Sequence, residues 1–465
     1  MRKVFMGFQK EEGMKKLVVL AVMAAFILGT AGFASAIELK ASGQWRVHFN
    51  YLKDGGVFDN DAEFDNFQAM HRARIAFEFI ASENLKGVMQ LQAGNIKWGS
   101  GGGEINNANS NITARQLYLN FKVPGTDATV MAGKLPFSLP STYGSHILAG
   151  NHAALAASIP FNDMVGLTAG WARAYDRSQG TFDTKIDDEV DVFFAVLPIK
   201  MDGVQLNPFG VYARWGKDFL NDEFGFGGGP NPFKNANQWF AGLNFTVDML
   251  DPIVFMGDVN WGTVDLMDDF KASGFMVNLA AQYKMDMFTP ELFWIYESGE
   301  DSGYIAGTSD SKRMPTINTD GTSWAPTAMG FVGSSFGGGV DGLLRSFLSD
   351  IALTSYDAYL VEEGTIGMWA LGLKLGDIQF IDRLSHDLIF VYAQGTNDKA
   401  NIDLFTKDDK YYEVSFDHTY QIYENLSAVL ELGWAKLDMD TGNRGGVDLA
   451  PDNAWKAAFG FHYRF

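Results

Sequence analysis

Trp455-Lys-Ala-Ala-Phe-Gly-Phe-His-Tyr-Arg-Phe465 closes the chain, and its alternation decides the fold. Trp455, Ala457, Phe459, Phe461, Tyr463 and Phe465 share one parity; Lys456, Ala458, Gly460, His462 and Arg464 share the other. Successive side chains of a strand point to opposite faces, so this is a strand with one oily and one wet face. The pattern recurs upstream. Leu39, Ala41, Gly43, Trp45, Val47, Phe49 and Tyr51 alternate with Lys40, Ser42, Gln44, Arg46, His48 and Asn50. Comparable runs lie near 72–79, 116–123, 238–247, 275–284 and 427–434. Many of these runs exceed the roughly five or six residues of an average soluble strand. Their length and number predict a transmembrane antiparallel β-barrel.

The connections come in two alternating kinds. Short ones occur at Ser82–Lys86, Pro124–Asp127, Pro160–Asn162, Pro198–Gly203, Asp248–Pro252, Asp286–Thr289, Gly376–Ser385 and Tyr423–Asn425. Long polar ones lie near 52–67, 98–112, 136–149, 176–186, 217–236, 264–272, 299–363, 398–409 and 439–453. Eight short and nine long connections predict 18 strands, with short periplasmic turns and long extracellular loops. The weakest strand is Gly150–Ile159, and losing it makes 16 the alternative count.

The N-terminal end reads as an export signal. Met14-Lys15-Lys16 is followed by an apolar run, Leu17–Leu28, and by the small-residue cleavage site Ala34-Ser35-Ala36. This predicts a signal peptide over 1–36, with translation starting at Met14, and a single barrel domain over 37–465. The apolar run is shorter than the roughly 20 residues a spanning helix needs. The formal net charge is −20. The first 36 residues carry five Lys/Arg and two Glu, so the remainder stands at −20 − 3 = −23. Such acidity argues against a nucleic-acid partner. No motif for a cofactor, a metal or catalysis stands out. The glycine runs Gly225–Gly229 and Gly337–Gly339 lack the lysine of a phosphate loop, and the acidic stretch Asp54–Asp65 lacks EF-hand spacing. The chain reads as a non-enzyme.

The terminal Gly460, Tyr463 and Phe465 resemble the C-terminal recognition signal of bacterial outer-membrane barrels. With the leader and the loop rhythm, the chain resembles a Gram-negative general porin, of the homotrimeric kind found in sulfate-reducing bacteria. The resemblance implies passive diffusion of small hydrophilic solutes and ions, a homotrimer, and contact with lipopolysaccharide, outer-membrane lipid and the barrel-assembly machinery. It also implies a basic ladder facing acids across a narrowed lumen. A substrate-specific sugar or organic-acid porin and a structural or adhesive barrel are the alternatives.

On the polar parity, Arg46, Arg72, Arg74, Lys134 and Arg214 are expected to line the pore. Asp258, Glu291, Glu297, Glu413, Asp417 and Glu431 supply the acids. Trp45, Tyr51, Trp171, Trp215, Trp239, Tyr283 and Trp455 fall on the oily parity near strand ends, as interfacial girdles do. Tyr118 and Tyr212 fall on the wet one. Arg115 shares its parity with Leu117 and Leu119, so it is expected to face outward and bind a lipopolysaccharide phosphate. Two segments qualify to narrow the lumen: Pro136–Asn151, which contains no Asp or Glu, and the long connection 299–363.

Overall fold

The computed structural model describes residues 37–53, 65–106, 111–176, 187–224, 233–267, 270–304, 309–317, 365–401, 404–439 and 453–465. The leader with Ala34 and Ala36, and the acidic stretch 54–64, lie outside the described residues. The strands are β1 (Glu38–Lys53), β2 (Asp65–Ser82), β3 (Leu85–Lys97), β4 (Ile112–Lys122), β5 (Thr129–Ser138), β6 (Ala149–Pro160) and β7 (Gly166–Asp176). They continue as β8 (Glu189–Val196), β9 (Ile199–Met201), β10 (Val204–Trp215), β11 (Ala236–Leu250), β12 (Ile253–Met267) and β13 (Phe270–Tyr283). The last are β14 (Thr289–Glu297), β15 (Met368–Ile381), β16 (Leu384–Gly395), β17 (Lys410–Tyr423), β18 (Leu426–Asp438) and β19 (Asn453–Arg464). One short helix, α1 (Lys217–Phe224), follows β10.

Every named strand pairs antiparallel with its neighbours, and β1 pairs with both β2 and β19, so the sheet closes on itself. Closure removes every edge, which is what lets a sheet sit in lipid with all its backbone groups paired. β8 and β9 are halves of one stave, since both pair with β10. Leu197-Pro198 separates them, and proline has no N–H to give the ladder. The barrel therefore has 18 staves. Ala149–Pro160, weak in the sequence because it is mostly alanine, is a full strand paired on both sides.

The final residue belongs to the wall. The Phe465 N–H donates to the Gly43 carbonyl at 3.1 Å, and the Gly43 N–H donates to the Phe465 carbonyl at 2.8 Å. A Cβ at Gly43 would lie 2.7 Å from the Phe465 ring and 2.5 Å from the Arg74 carbonyl, so only glycine fits beneath it. Removing Phe465 is expected to lower the unfolding midpoint of the purified barrel and its assembled yield. Single-channel conductance of the molecules that do assemble should stay unchanged. A midpoint equal to wild type would show that the seam closes without it.

Both ends of the strand pattern hold in the wall. Trp45, Tyr51, Trp171, Trp239, Tyr283 and Trp455 are exposed on the outer face. Trp215 is the exception. It is fully buried on the inside, where its Nε1–H donates to Gln238 Oε1 at 2.7 Å.

Candidate solute path through the barrel

The inner wall divides into a filled region and a charged region. The filled region begins at the connection between β5 and β6. Residues 139–148 fold inward: Leu139, Ser145, His146, Ile147 and Leu148 are all buried. The base of this loop is closed by the Leu139 N–H on the Leu148 carbonyl. Ser145 Oγ accepts from the amides of Ile147 and Leu148. Beneath it the inner faces of β6–β11 are oily. Phe137 stacks on Phe194 at 4.0 Å, and Phe209, Val211, Ala213 and Trp215 join the same core with Phe219 and Leu220 of α1.

The loop tip reaches past β7–β11 to the far wall. The Thr142 N–H donates to Asp258 Oδ1 at 2.7 Å, and the Tyr143 hydroxyl donates to Glu291 Oε1 at 2.6 Å. Asp258 Oδ2 accepts in addition from Asn260 and Asn278. The loop needs no acid of its own, because it carries donors and the wall carries acceptors. This corrects the expectation for Asp258, Glu291 and Glu297. They are buried anchors that hold inserted segments, and they do not form an open acidic wall facing the arginines.

Parts of a second segment, residues 298–300 and 311–317, lie buried inside the barrel. Glu300 binds it together, accepting from Ser311 Oγ, the Lys312 amide and Arg313 Nε. Ser311 hydrogen-bonds along the inner side of β13 through Lys271 and Ser273. A Cβ at Gly274 would lie 2.3 Å from the Lys312 carbonyl, so glycine lets the segment lie flat on the strand. At its root, Asp301 accepts from the Ser309 hydroxyl and the Gly303 amide, bonds that hold this carboxyl below its ordinary range. The two inserted segments meet where the Ile317 N–H reaches the Ile147 carbonyl and the Thr316 hydroxyl reaches that of His146. The carboxylate of Glu297 accepts from the amides of Ile366 and Gly367 and lies 3.7 Å from His146. Of the two constriction candidates, residues 139–148 and the described start of 299–363 both enter the lumen.

The charged region lies on the opposite arc, β16–β19 and β1–β4. Arg46 and Arg72 sit directly across from each other on β1 and β2, on the inward parity, with Gln44 opposite Arg74 one step below. Arg74 Nε donates to Gln92 Oε1 at 2.7 Å, which leads its side chain towards β3. His462 lies across from Arg46, and Arg464 from Gln44. Beside them, Asp387, Asp417 and Glu431 face one another in turn across β16, β17 and β18. Lys374 pairs with Asp387 and Lys456 with Glu431, each at 2.9 Å. Arg464, His462 and Lys456 were hidden in the sequence inside what reads as an assembly signal.

Two expected positions are corrected. Lys134 is exposed and pairs across from Leu117, which is 58% exposed on the outer face, and from Ala153. It points outward because Leu135 and Phe137 take the inside. Arg214 also points outward, beside Tyr212, which stacks on the exposed Trp239. Its guanidinium pairs with Asp187. In both strands the inner face is oily because an inserted loop packs on it, so the polar parity is the outer one. At Arg115, β4 has a bulge: Gln116 faces Gln90, Ala114 faces Leu91, and Arg115 is the extra residue. The outward face passes from Leu117 to Ala114 across it, so Arg115 stands between the two parities.

No family model matches the chain, and no curated protein matches it in sequence. Its fold is that of 18-strand outer-membrane barrels of the OprD/Occ group. Pseudomonas aeruginosa OpdO superposes with a TM-score of 0.53 at 12% identity, over 92% of this chain and 97% of that one. Pseudomonas aeruginosa OccK8 (OprE) gives 0.51 at 13% identity, over 92% and 98%. Acinetobacter baumannii OccAB1 gives 0.51 at 11% identity, over 94% and 99%. At these identities the likeness is one of fold.

Proposed function

We propose that the chain is a bacterial outer-membrane channel, without catalytic activity, that selects small organic anions instead of admitting hydrophilic solutes in general. The observation that carries this is the arginine row. Like charges directly opposite across a sheet are destabilising, yet Arg46 faces Arg72 on the inner wall with Arg74 a step away. A guanidinium is always charged and binds carboxylate through two parallel hydrogen bonds. Two inserted segments fill the other side of the lumen, so a passing solute is brought to this row. An open barrel of this size would leave a wide aqueous channel. The fold shared with outer-membrane barrels of the OprD/Occ group supports the outer-membrane setting of this reading.

The leader over 1–36, assembly through Gly460, Tyr463 and Phe465, lipopolysaccharide as the surrounding lipid, and a homotrimer all belong to this proposal. Mass-resolved chromatography in mild detergent tests the last, and a monomer overturns it. The channel reading is tested in planar bilayers under a salt gradient. Wild type should show discrete steps and anion selectivity. Replacing Arg46, Arg72 and Arg74 together by glutamine should move the reversal potential towards the cation side. A sealed membrane, or equal permeability to both ions in wild type, overturns the reading.

A further inference from the structure

The outer wall carries a charge pattern of its own. On β17, β18 and β1 a lysine stands two residues beyond an aromatic, on the side of the long loops: Lys410 beyond Tyr412, Lys436 beyond Trp434 and Lys53 beyond Tyr51. Residues two apart on a strand share a face. The residues between them turn inward, since Tyr411 and Ala435 are fully buried and Leu52 packs on the inner core. The aromatics form a row: Tyr392 meets Tyr412 at 5.3 Å between ring centroids, and Trp434 meets Trp455 at 6.4 Å. Such girdles mark the boundary of lipid and water, so each lysine stands about 7 Å beyond it, in the headgroup layer. Trp434 Nε1–H donates to Asn453 Oδ1 at 3.1 Å, and Asn453 lies across from Lys436. Lys410 lies across from Asp438, two residues beyond Lys436 on β18, and Lys53 lies across from Trp455. Strand spacing then puts the Cα atoms of Lys410 and Lys436 about 8 Å apart, and those of Lys436 and Lys53 about 12 Å apart. Near β7–β12 the outer cations are already answered: Arg173 by Asp176 and Asp191, Arg214 by Asp187, and Lys234 by Asp265. Lys53, Lys410 and Lys436 make no ion pair among the described residues, although Asp438 stands opposite Lys410.

We infer that this arc of the outer wall docks a phosphorylated glycolipid of the extracellular leaflet, with its phosphates on Lys53, Lys410 and Lys436 and its acyl chains against the aromatic row. This rests on the outer-membrane reading and names the surface that holds the lipid. A lysine carries a compact charge on a flexible stem. The stem lies along apolar surface while the ammonium reaches the headgroups. Three cations without counter-charges of their own take them from the lipid. A spacing of about 8–12 Å suits a headgroup with more than one phosphate better than a phospholipid with one.

The test is binding of bisphosphorylated lipid A and, separately, of its dephosphorylated form to the purified barrel in mild detergent, read by native mass spectrometry. Wild type should hold the bisphosphate more tightly, and millimolar inorganic phosphate should not displace it. Each of Lys53→Gln, Lys410→Gln and Lys436→Gln should weaken bisphosphate binding about fivefold, the scale of one basic side chain near an anionic surface. The triple variant should lose on the order of a hundredfold and bind the dephosphorylated lipid as wild type does. Lys399→Gln with Lys407→Gln removes two loop cations that pair with Asp408 and Asp398, and should bind as wild type. A triple variant that keeps the preference overturns the inference, as does a double variant that loses as much. So does a wild type that binds both lipids alike or yields the bisphosphate to inorganic phosphate. Conductance in bilayers of phospholipid alone should be the same for wild type and the triple variant. A wild type without conductance steps there removes the channel reading and leaves lipid binding to be judged on its own.

Discussion

Replacing Lys456 by methionine should destabilise the barrel by about 3–5 kcal/mol, the scale for breaking a buried ion pair by removing one partner. Lys456 Nζ lies 2.9 Å from Glu431 Oε2, and both side chains are almost fully buried in the inner wall. The cost is raised by the neighbours. Glu431 faces Asp417, and Asp417 faces Asp387, so three carboxylates adjoin on three successive strands. Lys374 answers Asp387 at the far end of that row. Without Lys456, the Glu431 end keeps its charge in a dry site. The double change Lys456→Met with Glu431→Met removes both charges and should recover most of the loss. Urea unfolding in detergent micelles, followed by tryptophan fluorescence, measures the difference. A single variant with the wild-type midpoint would show that water reaches Glu431 and the pair is not dry.

The wall was legible in the sequence because lipid enforces a simple code. Each stave must show an oily outer face, so Leu39–Tyr51 and Trp455–Phe465 read correctly residue by residue. Several turns read correctly because proline, asparagine and glycine mark them, but the expected connections Gly376–Ser385 and Pro198–Gly203 are largely strand, since β15 runs to Ile381 and β9 spans Ile199–Met201. The lumen was less legible because its inner face has no single code. On β1 and β2, as at Arg46 and Arg72, polar parity means inward. Where residues 139–148 and α1 pack on it, as at Phe209–Trp215, inward means oily, and Lys134 and Arg214 are left outside. Nothing local in β5 or β10 distinguishes the two cases; the difference lies in a loop that returns from elsewhere. Parity carries less at Arg115 for another reason. A bulge is a property of two strands, and the extra residue shows only when Gln90 and Leu91 are laid against Gln116 and Ala114. The oddly spaced pair Ile112 and Leu117 is the one trace it leaves in the sequence.

The largest change in current should come from Asp258. Its two oxygens take three donors: the Thr142 amide on Oδ1, and the Asn260 and Asn278 side-chain amides on Oδ2. Asp258→Ala deletes all of these, and each charge-assisted bond contributes about 1.5–3 kcal/mol. The base of the inserted loop stays packed through Leu139, Ile147 and Leu148, so the barrel remains folded while the tip comes loose. Single-channel current should become noisy, and its mean should rise on the order of twofold as the narrowing is relieved. Tyr143→Phe removes one bond to Glu291 but keeps the ring against Phe293, so its effect should be smaller. Asp258→Asn is the control. An amide has one oxygen and one NH2 group. With the oxygen on the Thr142 N–H the tip stays anchored, and Asn260 and Asn278 can turn their own amides to offer oxygen to the NH2 group. This near-isosteric change should therefore resemble wild type far more than alanine does. A quiet, wild-type current from Asp258→Ala would mean that the carboxylate does not hold the loop and that the inner wall is narrowed by the second inserted segment alone.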